Sequence, residues 1–248
     1  MPQHDRSLAD FVVANEPRGV IISRLAHAEW ANTVIDGSRS LRIPVIALFE
    51  RHSLQESVNG FVGIDNEGIG YTAGKRLLEQ GHKRAGFIGH VEGANSESAR
   101  FNGFVRAFSE VGLKISDDWV FAVRSPGALG LINDQPDQVS AASSAVNRLL
   151  DETISGVFCG SEHDTVAFVR SLDRVNSLSL FRHQLGVVGI AMDDWADFLL
   201  GPSFSYIRIP AYEIGREAAK LIMAPALKEA EHEFTVVLPS ELRTRRNN

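Results

Sequence analysis

The chain has 248 residues, 44% of them apolar and 23% charged, with a formal net charge of -6. That length buries one large core or two smaller ones, and the acidic balance argues against a surface whose main task is to grip a phosphate backbone. One cysteine, Cys159, permits no internal disulfide, and no apolar stretch backs the polar opening Met1–Arg6 or reaches membrane-spanning length, so the cytosol is the expected compartment.

In chain order, Leu8–Asn15 reads as a helix and Gly19–Ser23 as the first strand. Strands are then expected at Pro44–Phe49 and Phe61–Asp65, followed by a helix over Gly70–Gln80 that stops at Gly81. Next come a strand at Arg84–Gly89, a helix at Glu97–Val111 with Phe101, Phe104, Val105 and Phe108 on one face, and a strand at Trp119–Val123. Ser125–Asp137, rich in Gly, Pro and Asp, reads as a loop. Helix Ala141–Leu150, strand Gly156–Gly160, helix Thr165–Leu172 and strand Leu185–Met192 follow. Strand Ser205–Ile209, helix Tyr212–Met223 and strand Thr235–Leu238 close the pattern. Short β-branched runs alternating with amphipathic helices predict parallel sheets with helices on both faces.

Several runs, in order, resemble the core of the LacI/GalR (lac/purine repressor) family. They are Asp65-Asn66-Glu67-Gly68-Ile69-Gly70-Tyr71-Thr72-Ala73-Gly74, then Leu77-Leu78, Gly81-His82-Lys83-Arg84 and Phe87-Ile88-Gly89. Ser96 or Ser98 with Arg100 and Gly103-Phe104 is similar to the family's Ser…Arg-x-x-Gly-Phe helix start. Gly156–Cys159 with His163-Asp164 resembles its strand ending in Asn-Asp, although His163 stands where Asn is usual. Asp193-Asp194-Trp195 with Pro202, and the closing Leu238–Arg243, complete the set.

The resemblance implies two Rossmann-like lobes with parallel sheets and an interlobe ligand cleft, a periplasmic binding protein-like fold. The expected lobes are 1–90 plus 206–226, and 91–205 plus 227–248, with crossings near 90–93, 203–207 and 224–233. The first strand-helix-strand of the family core and a helix-turn-helix head are not found, so the first lobe is expected to be incomplete. The implied function is effector sensing in a transcription regulator, with a sugar or nucleoside-like ligand, a homodimer, operator DNA reached only through a missing N-terminal domain, and no membrane. A periplasmic solute-binding protein of an ABC importer is the alternative.

The resemblance also implies effector contacts by Arg100, Asp193, Asp65, His163, Asp164, Ser96 and Trp195. On physical grounds, a cation opening a helix opposes the macrodipole and wants a hydroxyl-rich or anionic partner; otherwise Arg100 is a surface residue. Asp193 follows a strand, at the edge where doubly wound sheets bind ligands, or else caps the next short helix, a task that suits Asp194 better. Asp65 either caps the helix after it or faces the cleft. Trp195, Phe121 and Phe181 are stacking candidates, or packing. Cys159, Glu162 and His163 could begin a metal site, but no second pair at ligand spacing exists.

The rival reading is a dinucleotide fingerprint in Gly68-Ile69-Gly70 and Gly74, with Glu92 beyond the next strand. Its spacing departs from Gly-x-Gly-x-x-Gly, and Asp65 and Glu67 would repel a pyrophosphate. No nucleophile elbow, phosphate-binding Lys loop or nucleophile–base pair is found. No enzyme and no cofactor are therefore expected.

Overall fold

The computed structural model describes residues 14–15, 17–23, 28–49, 58–93, 95–123, 136–151, 153–174, 185–200, 204–225, 227 and 232–244. Phe181, Pro202, residues 8–13 of the expected first helix and residues 125–135 of the expected loop lie outside them. The chain separates into two compact units, residues 1–64 with 210–238 and residues 65–209 with 239–248.

The first unit holds a four-stranded parallel sheet in the order β1-β2-β3-β9: β1 (Val20–Ser23), β2 (Val45–Leu48), β3 (Gly60–Ile64) and β9 (Phe234–Leu238). Helix α1 (Ala28–Ser40) precedes β2. It has no counterpart among the expected elements, because Gly37, Asn32 and the β-branched Thr33, Val34 and Ile35 dilute its helical signal. Packing supplies what propensity lacks, since Val34 and Ile35 are buried with Ile22, Ile43 and Val45.

The second unit carries a six-stranded sheet in the order β10-β8-β7-β6-β4-β5. These are β4 (Ala85–Gly89), β5 (Val120–Ala122), β6 (Gly156–Cys159), β7 (Gly186–Ala191), β8 (Phe204–Arg208) and β10 (Glu241–Arg243). All pairs are parallel except β10 with β8. Its helices are α2 (Asn66–Glu79), α3 (Ser96–Ser109), α4 (Pro136–Leu150) and α5 (Glu162–Arg174).

Strand alternation sends side chains to two cores. Ile88, Val157, Cys159 and Val187 join the cluster with Ala145, Val146 and Phe168 of α4 and α5. Phe87 and Phe158 instead meet Phe101 and Phe104 of α3, with ring centroids 5.1 to 6.2 Å apart. From β4 the chain steps to β5, then returns past β4 to β6, so the strand order reverses between β4 and β6. That reversal is where doubly wound sheets take ligands, beyond the carboxyl ends of the strands.

Three crossings join the units, at residues 64/65, 209/210 and 238/239. They differ from the expected crossings for a reason visible in the strand pairing. β4 bonds to β5 and β6, which places residues 85–89 in the six-stranded sheet, and β9 bonds to β3, which places residues 234–238 in the four-stranded one.

Candidate functional site at the carboxyl edge of the six-stranded sheet

Helix α3 starts just beyond β4. Asn95 caps it, its side-chain oxygen accepting from the backbone N–H groups of Glu97 (2.8 Å) and Ser98 (2.9 Å), while Ser98 Oγ accepts from Asn95 N at 3.0 Å. This closed capping box satisfies the helix start without a ligand. Ser96 is the first helical residue and is buried.

Arg100, one turn further in, is only 6% exposed. The sequence places it at the helix opening as a surface or ligand-facing cation; the structure buries it with two neutral acceptors. Its Nη1 donates to the carbonyl of Gly160 at 2.7 Å and its Nε donates to Asn66 Oδ1 at 3.0 Å. The side chain thereby ties the start of α2 and the body of α3 to the segment following β6.

Asp164 is 1% exposed, in the first turn of α5. Ser161 donates its hydroxyl to Asp164 Oδ2 at 2.5 Å, and Ser161 Oγ accepts from the Asp164 backbone N–H at 3.2 Å. Among the described residues, Asp164 Oδ1 is buried with no hydrogen-bond partner. Burial, then the charge of Glu97, pushes the Asp164 carboxyl well above the usual carboxylate range, against the pull of the Ser161 hydrogen bonds and of Arg100. Burial, and then the Asp164 charge, raises the neighbouring Cys159 thiol well above its ordinary value. Among the described residues no group of three or more His, Cys, Asp and Glu could hold a metal ion.

Glu97, in the first turn of α3, faces the end of β4, where its Oε2 accepts from His90 N at 2.6 Å. A Cβ on Gly89 (φ 157°) would lie 2.9 Å from that oxygen and 2.9 Å from Phe87 Cε1, so a side chain at position 89 would displace the Glu97 carboxylate or the Phe87 ring. His90 Nδ1 lies 2.7 Å from the carbonyl of Val123, beyond the end of β5.

At the end of β7, Asp193 caps the short 3-10 helix Asp194–Leu199, accepting from Asp194 N at 2.6 Å. The cap was expected of Asp194. Asp193 takes it because its backbone is extended while Asp194 is already helical, and Asp194 instead pairs with Arg208 at 3.0 Å. Trp195 is half-buried against the core, and its indole Nε1 donates to Glu162 Oε1 at 2.5 Å. The same oxygen accepts from Met192 N at 3.1 Å, locking the 3-10 helix to the start of α5. Asp65 caps α2, accepting from Gly68 N at 2.8 Å, and its side chain is exposed. His163 is exposed on α5, and Phe121 lies in the core.

The structure therefore brings Arg100, Asp164 and Glu97 together where the strand order reverses, with Ser96 in the same turn of α3, and sets Asp193 and Trp195 at the neighbouring strand end. His163 and Asp65 stand on exposed positions. Glu97 and Ser161 are not among the residues singled out in the sequence, and Glu162 enters there only with Cys159 and His163 as a possible metal site, although Ser161-Glu162, and not His163-Asp164, directly follows β6 and its first bend.

The glycine run that imitates a dinucleotide fingerprint is explained by helix packing. A Cβ on Gly70 would lie 1.7 Å from the carbonyl oxygen of Arg100, and one on Gly103 would lie 1.9 Å from that of Glu67. The glycines let α2 and α3 touch backbone to backbone. The N–H of Gly68, where a pyrophosphate would be needed, already donates to Asp65.

A family model described as a periplasmic binding protein-like domain matches residues 75–246. The HTH-type transcriptional repressor CytR of Escherichia coli (strain K12) is 27% identical over 226 residues, which cover 89% of this chain and 60% of CytR. The chain thus spans about three fifths of the length of this curated relative. A solved complex of the transcriptional regulator CelR with cellobiose superposes with a TM-score of 0.76 at 22% identity, covering 98% of this chain and 70% of CelR. A LacI family regulator from Enterococcus faecium, solved with bound ribose, gives 0.74 at 21% identity, covering 96% and 82%. Among the described residues no helix is long and apolar enough to cross a membrane.

Proposed function

Since this chain belongs to the periplasmic binding protein-like domain family, we propose that it is a LacI/GalR-type effector-binding domain, the effector-sensing core of a transcription regulator. Its role is binding, and no residue is assigned to catalysis. The observation that carries the reading is the pair of buried polar side chains Arg100 and Asp164, flanked by the half-buried Ser161 and Glu97, at the point where the strand order of the six-stranded sheet reverses. Buried polar groups of this density are costly unless a fixed set of partners completes them. The effector is a small polyhydroxylated molecule, a sugar or nucleoside. Arg100, Ser96 and Asp164 form the inner part of its site, with Asp193, Asp65, Trp195 and His163 at the rim. Relatives that match include a repressor and regulators solved with cellobiose or ribose. With a net charge of -6 this chain is poorly suited to hold a phosphate backbone. On this reading DNA is reached through a separate domain, and this chain supplies sensing and a homodimer contact.

The test is a thermal-shift screen of mono- and disaccharides and nucleosides. A ligand that binds only the native state raises the melting temperature, by an amount equivalent to about 2.7 kcal/mol at a hundredfold excess over Kd. Arg100→Ala and Asp193→Ala should each remove the shift produced by the stabilising compound. Full affinity in both variants would show the site to be elsewhere.

A further inference from the structure

The charge inventory at this edge goes further than the effector reading on which it rests. Glu97 and Asp164 bring two carboxyl groups to the ends of β4 and β6. The buried cation beside Asp164, Arg100, already donates to Gly160 O and Asn66 Oδ1. Glu97 gives one oxygen, Oε2, to the backbone of His90. Behind it, Asp164 Oδ1 is fully buried without a partner among the described residues, so the cluster holds a polar atom that a ligand can meet. At the neighbouring strand end Glu162 has its Oε1 held by Trp195 and Met192, and Asp193 adds a further carboxylate on the exposed side. A ligand bringing hydroxyl or amine hydrogens completes such a set. One bringing a phosphate or carboxylate meets the half-buried Glu97 carboxylate at close quarters, where like charges repel.

We propose that this edge selects uncharged, donor-rich effectors against their phosphorylated or acidic counterparts, and that Glu97 is the residue that sets the selection. Its carboxylate stands at the switch point, and the glycine at position 89 leaves the space it occupies. Glu97→Gln keeps the shape and the acceptor for His90 N–H and removes only the charge.

The experiment compares matched pairs by thermal shift at fixed ionic strength: D-ribose with ribose 5-phosphate, D-glucose with glucose 6-phosphate, and adenosine with adenosine 5'-monophosphate. Inorganic phosphate alone is a fourth arm. In the parent protein, the neutral member of a binding pair is expected to bind at least about tenfold more tightly than its phosphorylated partner, a difference of about 1.4 kcal/mol. In Glu97→Gln that ratio should shrink several-fold while the affinity for the neutral member changes less. A phosphorylated member that binds the parent as well as its neutral partner, or a ratio unchanged in Glu97→Gln, overturns the proposal. If no neutral member binds, it is the effector reading that fails, and the phosphate arm then decides the electrostatic claim. No saturable stabilisation by phosphate supports it; saturable stabilisation that Arg100→Lys loses refutes it.

Discussion

Gly70→Ala isolates the contact that positions the site. The added methyl would begin 1.7 Å from the Arg100 carbonyl oxygen, 2.5 Å from its carbon and 2.8 Å from its Cα. These are backbone atoms with no rotamer to change, so α3 must retreat by roughly 1.7–2 Å to reach an ordinary contact. Such a retreat pulls Phe101 and Phe104 off Phe87 and Phe158, and carries Arg100 away from Gly160 O, now at 2.7 Å. Overpacking of this kind costs roughly 1–3 kcal/mol and occasionally more. The helix-propensity gain of Gly→Ala offsets about 1 kcal/mol of it. Because both helices are held by backbone contact, the upper part of the range applies, and a net loss of about 2 kcal/mol is expected. Gly37→Ala is the internal control: it lies in α1 with nothing within 4 Å of its Cβ, and should gain about 0.5–1 kcal/mol. Urea melts of the parent and both variants, followed by tryptophan fluorescence and far-UV circular dichroism, measure the difference. A Gly70→Ala protein within about 0.5 kcal/mol of the parent, a normal surface-substitution effect, would refute the packing account and return Gly70 to the dinucleotide reading.

Three further outcomes follow from named groups. The Asp164 carboxyl is raised in the folded state, so its contribution is fully present below the unfolded value of about 3.9 and is lost as pH rises through the folded value; Asp164→Asn should therefore gain on the parent with rising pH, and a difference in urea midpoint that is flat from pH 4.5 to 9 would contradict this. His82, lowered by burial beside Ser155, has the opposite sign: its stabilisation is present above the unfolded value of about 6.5 and is lost as pH falls below it, so parent melting temperatures should drop more steeply between pH 7.5 and 5.5 than those of His82→Gln. Glu162→Ala frees the Trp195 indole and Met192 N–H, and should cost about 1.5–3 kcal/mol with a red shift of Trp195 emission, measured with Trp30 and Trp119 replaced by Phe.

Elements with short, dense apolar runs were legible from sequence because burial on both faces of a parallel sheet demands them; β4, β6 and β7 lie within one or two residues of their expected bounds. Helix α1 was not legible, since its stability comes from burying Val34 and Ile35 and not from its own residues. The unit boundaries were displaced because strand order is a long-range property: nothing local in Phe234–Leu238 says that it pairs with β3. In the site, Arg100 and Asp164 were found by type and order along the chain. Glu97 has no sequence signal that marks it out at the start of its helix, and Asp194 is preferred to Asp193 as a cap because one residue of backbone phase is invisible in sequence. Ser161 was the nearest miss, and Glu162 was read only as a possible metal ligand, for the exact end of β6 decides which residues meet the carboxyl edge.

On the effector-sensing reading, a small effector binds at the carboxyl edge where the strand order reverses between β4 and β6. Hydrogen–deuterium exchange, with and without the stabilising sugar or nucleoside from the thermal-shift screen, tests it most directly. Protection should concentrate at residues 89–100, 160–165 and 191–195, and should vanish in Arg100→Ala. Protection confined to the opposite edge of the sheet, around His82 and Ser155, or to the unit built on β1, β2, β3 and β9, would contradict it.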